Sequence, residues 1–184
     1  MGILSHLRAI LLLPFVSTVV IPCAVILTGF AGPGWSVGWL LRWIPLALGG
    51  GFVLIGLVLM VKTVRLFATV GEGTLAPWEP TQRLVVRGIY RHVRNPMITG
   101  VSCILLGEAV ALGSVILLGW FLSFSVANVI YIPLVEETGL ERRFGEDYLA
   151  YRQNVPRWVP RLRPWRTEIA DAPSGSTGAS PTDP

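Results

Sequence analysis

Four apolar stretches mark out the chain, at residues 7–30, 39–61, 97–112 and 115–134. The first is interrupted only by Arg8, Ser17, Thr18, Thr28 and the prolines Pro14 and Pro22. It offers more than the roughly 20 helical residues needed to cross about 30 Å of hydrocarbon. It also outruns the roughly 7 to 15 apolar residues of a cleavable secretory signal, so it is read as a span. The second follows the turn residues Gly32-Pro33-Gly34 and carries Gly49-Gly50-Gly51 and Gly56, small residues that let helices approach closely in lipid. Only Gly113-Ser114 separates the third from the fourth. So short a connection predicts a tight antiparallel helical hairpin, whose first arm is barely long enough to cross.

The polar segments are of two kinds. Residues 63–96 contain Gly71, Gly73, Pro77, Pro80, Gly88 and Pro96, which break helices and strands alike, and are predicted to form a structured loop. Residues 135–154 read as an amphipathic helix with Leu140, Phe144, Tyr148 and either Tyr151 or Arg152 on one stripe, supported by the i,i+4 pairs Arg142–Glu146 and Arg143–Asp147 and stopped by Pro156. The fold class expected is therefore an all-α integral membrane protein with about four transmembrane helices, a tight hairpin and a cytoplasmic amphipathic C-terminal helix. Residues 1–166 make one membrane-embedded domain, and residues 167–184, rich in Ser, Gly, Pro and Thr, are expected to be a disordered tail.

Composition sharpens this picture. Of 184 residues, 52% are hydrophobic and only 14% charged, and the mean hydropathy is +0.61. Soluble domains carry about a quarter charged residues. A disordered chain, a nucleic-acid-binding arm and a disulfide scaffold are excluded; Cys23 and Cys103 each lie inside an apolar run, and no metal-ligand pattern occurs. The formal net charge is +4, but the cations concentrate in two places: Lys62, Arg65, Arg83, Arg87, Arg91 and Arg94 in the middle, and Arg142, Arg143, Arg152, Arg157, Arg161, Arg163 and Arg166 near the end. By the positive-inside rule, both termini and the long loop face the cytoplasm. The preference for Arg over Lys suits a GC-rich bacterial gene, so the expected location is a bacterial inner membrane.

Two polar clusters flank the hairpin on one membrane face: Arg87 to Pro96 before it and Glu136-Glu137 after it. A hairpin returns its ends to one place, so these clusters are expected to meet at the cytoplasmic interface. Taken alone, the arginines could be topological anchors in contact with lipid headgroups, the acidic pair a helix start, and His92 a donor or stacking group. Glu108 lies within the third apolar stretch, where a carboxylate needs a cavity or partner unless it reaches the far interface. Asn128 reads as an interhelical hydrogen bonder.

Two longer blocks contain these clusters. The first is Gly71-Glu72-Gly73-Thr74-Leu75-Ala76-Pro77-Trp78, followed by Leu84-Val85-Val86-Arg87-Gly88-Ile89-Tyr90-Arg91-His92-Val93-Arg94-Asn95-Pro96-Met97. The second runs from Glu136-Glu137-Thr138-Gly139 through Tyr148 and Tyr151 to Val155-Pro156-Arg157-Trp158. In this order around a short hairpin, they resemble the isoprenylcysteine carboxyl methyltransferase and phospholipid N-methyltransferase superfamily of integral membrane methyltransferases. The sequence departs from the family pattern at Ile98, where an aromatic residue is common, at Ile89 in place of a proline, and at Thr138-Gly139 after the acidic pair.

The resemblance implies S-adenosylmethionine as cofactor, in a pocket facing the cytoplasm, and a lipophilic small molecule or lipid as methyl acceptor, reached through a tunnel from the bilayer. The cofactor-binding residues it implies are Tyr90, Arg94, Asn95, Pro96, Glu136 and Glu137; Arg91, His92 and Tyr148 are expected to join them, the catalytic residues are open with Arg94 and Glu137 as candidates, and no metal is expected. The chemistry of these side chains agrees. Arg91 or Arg94 can pair with a carboxylate, Glu136 or Glu137 can accept from an ammonium or ribose, and Tyr90 or Tyr148 offers a face to adenine or a sulfonium. Gly71-Glu72-Gly73 lacks the strand and helix of a dinucleotide fingerprint. Two alternatives remain at this stage, an NADPH-dependent membrane reductase related to sterol reductases and a non-enzymatic membrane scaffold. The acceptor, whether an isoprenylcysteine-like carboxylate or a lipid headgroup, is left open, as is the oligomeric state.

Overall fold

The computed structural model describes residues 12–29, 34–35, 38, 41–70, 84 and 86–166. Among these residues every regular element is helical. A helical stretch over Leu12–Leu27 contains the π turn Val16–Val20 and α1 (Ile21–Leu27). It is followed by α2 (Trp43–Val70), a 3-10 turn (Gly88–Arg91), α3 (Pro96–Leu112) and α4 (Val115–Tyr131). From α4 the chain continues through a π turn (Ile132–Glu136) into α5 (Glu137–Phe144), and α6 (Glu146–Asn154) follows.

The hairpin forms where the spacing places it. Gly113 caps α3 in the left-handed region at φ +62°, and the Ser114 hydroxyl caps α4 by accepting from the Leu117 N–H at 3.3 Å. The Trp35 indole N–H donates to the Val110 carbonyl at 2.7 Å and its ring lies against Gly113, so the turn has no room for a side chain.

Helices α2 and α3 form the closest pair. A Cβ built on Gly100 would fall 2.9 Å from the Gly56 carbonyl oxygen, and one on Gly107 would fall 2.5 Å from that of Gly49. Both pairs repeat after seven residues, about two turns, so the antiparallel backbones touch at two levels. Within the Gly49-Gly50-Gly51 cluster only Gly49 meets α3; Gly50 and Gly51 face open space.

Two helical stretches are long and apolar enough to cross a membrane, Trp43–Leu66 and Val115–Phe144, while Leu12–Leu27 and Pro96–Leu112 are apolar but shorter. Only 17% and 11% of the residues in the two long windows are buried. The core helix of a soluble protein would be mostly buried, so these faces suit lipid.

The structure moves several boundaries. Helix α2 runs to Val70 rather than ending near residue 61, because no Gly or Pro follows Pro45 and the glycines at 49–51 and 56 until Gly71; the loop expected at 63–96 is shortened accordingly. Thr63, buried in this extension, donates to the Leu59 carbonyl at 2.8 Å. The single amphipathic helix expected over 135–154 is instead two helices broken at Gly145, whose φ of +52° and ψ of −126° no helix admits. Its apolar stripe still does what the pattern predicts: Tyr148 and Tyr151 join Val86 and Val155 in a core against which Leu140 and Phe144 pack. The Gly71 to Trp78 block, Arg83 and the tail 167–184 lie outside the described residues.

Candidate active site

Helix α3 begins at Pro96, and the segment leading into it is held by the chain that follows α6. The Arg94 N–H donates to the Pro156 carbonyl at 2.9 Å and the Asn95 N–H to that of Arg157 at 3.3 Å. In return the Arg161 N–H donates to the His92 carbonyl at 3.0 Å and the Trp165 N–H to that of Arg91 at 2.9 Å. Side chains strengthen the pairing. The Arg91 Nε donates to the Trp165 carbonyl at 2.7 Å and the His92 Nδ1 to that of Arg161 at 2.8 Å. The two blocks read from the sequence are therefore joined through their backbones, residues 91–95 to residues 156–165.

Glu137 lies at the centre of this junction. Its Oε1 accepts from Arg94 Nη1 at 2.7 Å and from Arg157 Nε at 2.8 Å, and its Oε2 accepts from Arg157 Nη2 at 2.7 Å. Arg157 thus grips the carboxylate with two parallel N–H groups, the geometry that gives an arginine pair both strength and direction. Arg152 Nε stands 3.8 Å from Oε2. Arg94 is fixed further by its Nε, which donates to the Val155 carbonyl at 2.9 Å, and by a 3.4 Å contact from Nη1 to the Tyr148 hydroxyl. A carboxylate offers about four acceptor positions, so Glu137, 3% exposed, has little capacity left for a ligand.

The rest of the expected site divides around this hub. Glu136 is exposed on the preceding π turn, where its charge, together with burial and Tyr151, raises the Tyr90 phenol well above its usual range; burial is the largest cause. The Tyr151 hydroxyl donates to the Tyr90 carbonyl at 2.8 Å. Burial, and secondarily the charge of Glu137, pushes the Tyr148 phenol up to about 12. These phenols are uncharged donors in the working pH range. Asn95 has a buried Nδ2 with no hydrogen-bond partner among the described residues, while Pro96 is buried at the first turn of α3. The structure thus gathers Tyr90, Arg94, Asn95, Pro96, Glu137 and Tyr148 around the junction and leaves Glu136 at its rim. Arg91 and His92 are tied to the returning chain.

Beside this junction a cavity of about 260 Å³ lies between α3 and α4. Ile98, Leu106, Phe121 and Val129 give it apolar walls, and Thr99 and Trp158 close the end next to the Arg94 cluster, the Thr99 hydroxyl donating to the Trp158 carbonyl at 3.2 Å. Ser125 and Asn128 put polar atoms into the lining; the Asn128 amide donates to the Phe124 carbonyl at 2.8 Å, and the buried Ser125 hydroxyl has no partner among the described residues. Sequence reasoning saw Asn128 as a helix-helix link, but its bond lies within its own helix. It missed Arg157 as the principal partner of Glu137, although the Val155-Pro156-Arg157-Trp158 run was in view.

A family model described as Phospholipid methyltransferase matches residues 44–147, more than half the chain. That span begins in α2 and takes in α3, α4 and the acidic pair. No curated protein matches the sequence.

Proposed function

Because the chain belongs to the phospholipid methyltransferase family, we propose that it transfers a methyl group from S-adenosylmethionine to a lipophilic acceptor at the cytoplasmic face of a bacterial inner membrane. Family membership supports methyltransferase activity on lipid-like substrates; the cofactor, the acceptor, the membrane face and the four-span topology are the proposal. The observation that carries it is the adjacency of two unlike environments: the charged junction at Arg94 and Glu137, and the apolar cavity that ends at Thr99 and Trp158. A reaction between a polar zwitterionic donor and a lipid-borne acceptor needs both within one site.

The residues present fit such a cofactor. The buried Nδ2 of Asn95 is a donor still seeking an acceptor, and the exposed Glu136 carboxylate is an acceptor suited to an ammonium or a ribose hydroxyl. With Tyr90, Arg94, Pro96 and Tyr148 they would form the binding surface, while Glu137 and Arg157 hold Arg94 in place. When bound, the cofactor supplies an electrophilic methyl group on a sulfonium.

The protein's own contribution is alignment and dryness. Methyl transfer is an in-line displacement, favoured by fixing the partners and excluding water, and the cavity between α3 and α4 would hold the acceptor's apolar body so that its nucleophilic end meets the junction. A carboxylate acceptor needs no base. An amine acceptor must lose a proton, and the geometry narrows the choice of base. Glu108 lies twelve residues along α3 from Pro96, about 18 Å at 1.5 Å per residue. Glu137 is tied to its arginines, so Glu136 is the carboxylate left to take the proton.

Incubating the purified protein in lipid with methyl-labelled S-adenosylmethionine tests the proposal. Label is expected in the lipid extract and saturable binding of the cofactor. NADPH consumption with no S-adenosylmethionine binding would overturn it in favour of a reductase, and binding of neither cofactor would indicate a scaffold.

A further inference from the structure

The cavity between α3 and α4 is built in rungs. The two helices run antiparallel from the Gly113-Ser114 turn, so residues equally distant from it stand at the same level. Three such pairs line the cavity: Thr99 with Asn128, Ser102 with Ser125, and Leu106 with Phe121. The first pair borders Trp158 and the Arg94 junction. At about 1.5 Å per residue the second lies about 4.5 Å deeper and the third about 10 Å deeper. Polar side chains therefore continue for one rung beyond the junction before the pairs become apolar.

Ser125 stands out on the second rung. A hydroxyl in an apolar helix ordinarily donates back to a carbonyl one turn earlier, as Ser123 does to Gly119 at 2.8 Å and Thr63 to Leu59 at 2.8 Å. Thr99 and Asn128 on the first rung also donate to backbone carbonyls. The Ser125 hydroxyl does not: its buried oxygen has no partner among the described residues. A hydroxyl left unpaired away from water costs free energy. Ser125 also lies in the apolar stretch Val115–Phe144, and polar side chains kept within such segments mark the path of a substrate.

We propose that Ser125 selects the methyl acceptor by donating a hydrogen bond to a carbonyl oxygen in its body, about 4.5 Å beyond the reacting end. This rests on the reading of the cavity as the acceptor site. The acceptor class it assigns is a chain whose reacting group is followed closely by an amide or ester linkage and then by hydrocarbon, which the Leu106–Phe121 rung receives. A plain alkyl chain would fill the same 260 Å³ or so but leave the hydroxyl unpaired.

Two pairs of probes matched in length test this: N-dodecanoylglycine against pentadecanoic acid, and the mono-amide of dodecanoic acid with ethylenediamine against pentadecylamine. Members of a pair share the same reacting end, and one carries an amide a few bonds from it. The full chain in a neutral detergent is titrated with each probe, and the concentration giving half the full thermal shift is the readout. Ser125→Ala is expected to lower the preference for the amide over the alkyl member about fivefold in the pair whose end matches the acceptor, the equivalent of about 1 kcal/mol for one hydrogen bond. Ser123→Ala, which removes a hydroxyl tied to its own helix, is expected to leave that preference unchanged. Comparing variants cancels any difference in how the probes enter the micelle. A preference unchanged by Ser125→Ala in both pairs, or lowered equally by Ser123→Ala, would overturn the proposal. S-adenosylmethionine binding by the wild type is measured alongside: its absence counts against the methyl-transfer reading, whereas an unchanged probe preference counts against Ser125 alone.

Discussion

Replacing Glu137 by Gln keeps the shape of the side chain but removes the charge that three guanidinium N–H groups reach at 2.7 to 2.8 Å. Breaking a buried ion pair by removing one partner costs about 3 to 5 kcal/mol, because the remaining charges are left without compensation. Here the lower end applies. The Arg157 side chain is 24% exposed and can turn partly to water, whereas that of Arg94, at 9%, is confined. We expect Glu137→Gln to destabilise the protein by about 3 kcal/mol, a drop in thermal midpoint of roughly 6 to 12 °C for a chain of this size. Arg152→Ala provides the internal comparison. Its guanidinium is 3.8 Å from the same carboxylate and its side chain is 45% exposed, so its loss is worth less than about 1 kcal/mol. Thermal melts of both variants in one detergent read the difference directly. If Arg152→Ala costs as much as Glu137→Gln, or if Glu137→Gln melts with the wild type, the carboxylate is not the structural hub of the junction.

Other outcomes follow from the same geometry. Glu136→Gln is expected to weaken S-adenosylmethionine binding about ten- to a hundredfold without lowering the thermal midpoint, since a charge-assisted hydrogen bond to a ligand is worth about 1.5 to 3 kcal/mol; unchanged affinity in equilibrium binding would remove Glu136 from the site. Gly56→Ala should destabilise the α2–α3 pair, because its Cβ would strike the Gly100 backbone, while Gly50→Ala, which meets nothing within 4 Å, should be tolerated; comparable melts for the two would contradict the close approach. The Tyr148 phenol is raised to about 12 by burial and by Glu137, and Tyr151 is raised as well, chiefly by burial. Folded values above the unfolded one of about 10 mean that this stability is complete below pH 10 and is lost as pH rises toward 12; tyrosinate absorbance showing all tyrosines ionising near 10 in the folded protein would refute it. Glu108→Leu should retain turnover and stability, since the buried Oε2 has no partner among the described residues; abolished turnover with intact cofactor binding would make Glu108 catalytic.

Some of this molecule is determined by local pattern and is therefore legible in the chain. The apolar stretches, the hairpin at Gly113-Ser114 and the stripe of Leu140, Phe144, Tyr148 and Tyr151 each depend on a residue's own preference for lipid, water or a left-handed turn. The order of the two polar blocks around the hairpin also predicts that they meet. The tertiary structure decides what involves a partner far away in sequence. Gly49 and Gly50 are identical as neighbours in the chain, yet only Gly49 meets α3, because helix rotation selects the side that packs. Glu136 and Glu137 are likewise equivalent on paper; a helical rotation of about 100° per residue buries Glu137 between Arg94 and Arg157 and leaves Glu136 exposed. Arg157 gains its role only when the chain after α6 returns to residues 91–95. Hydropathy records where each residue prefers to be, whereas an ion pair or a cavity exists only once two distant segments have been brought together.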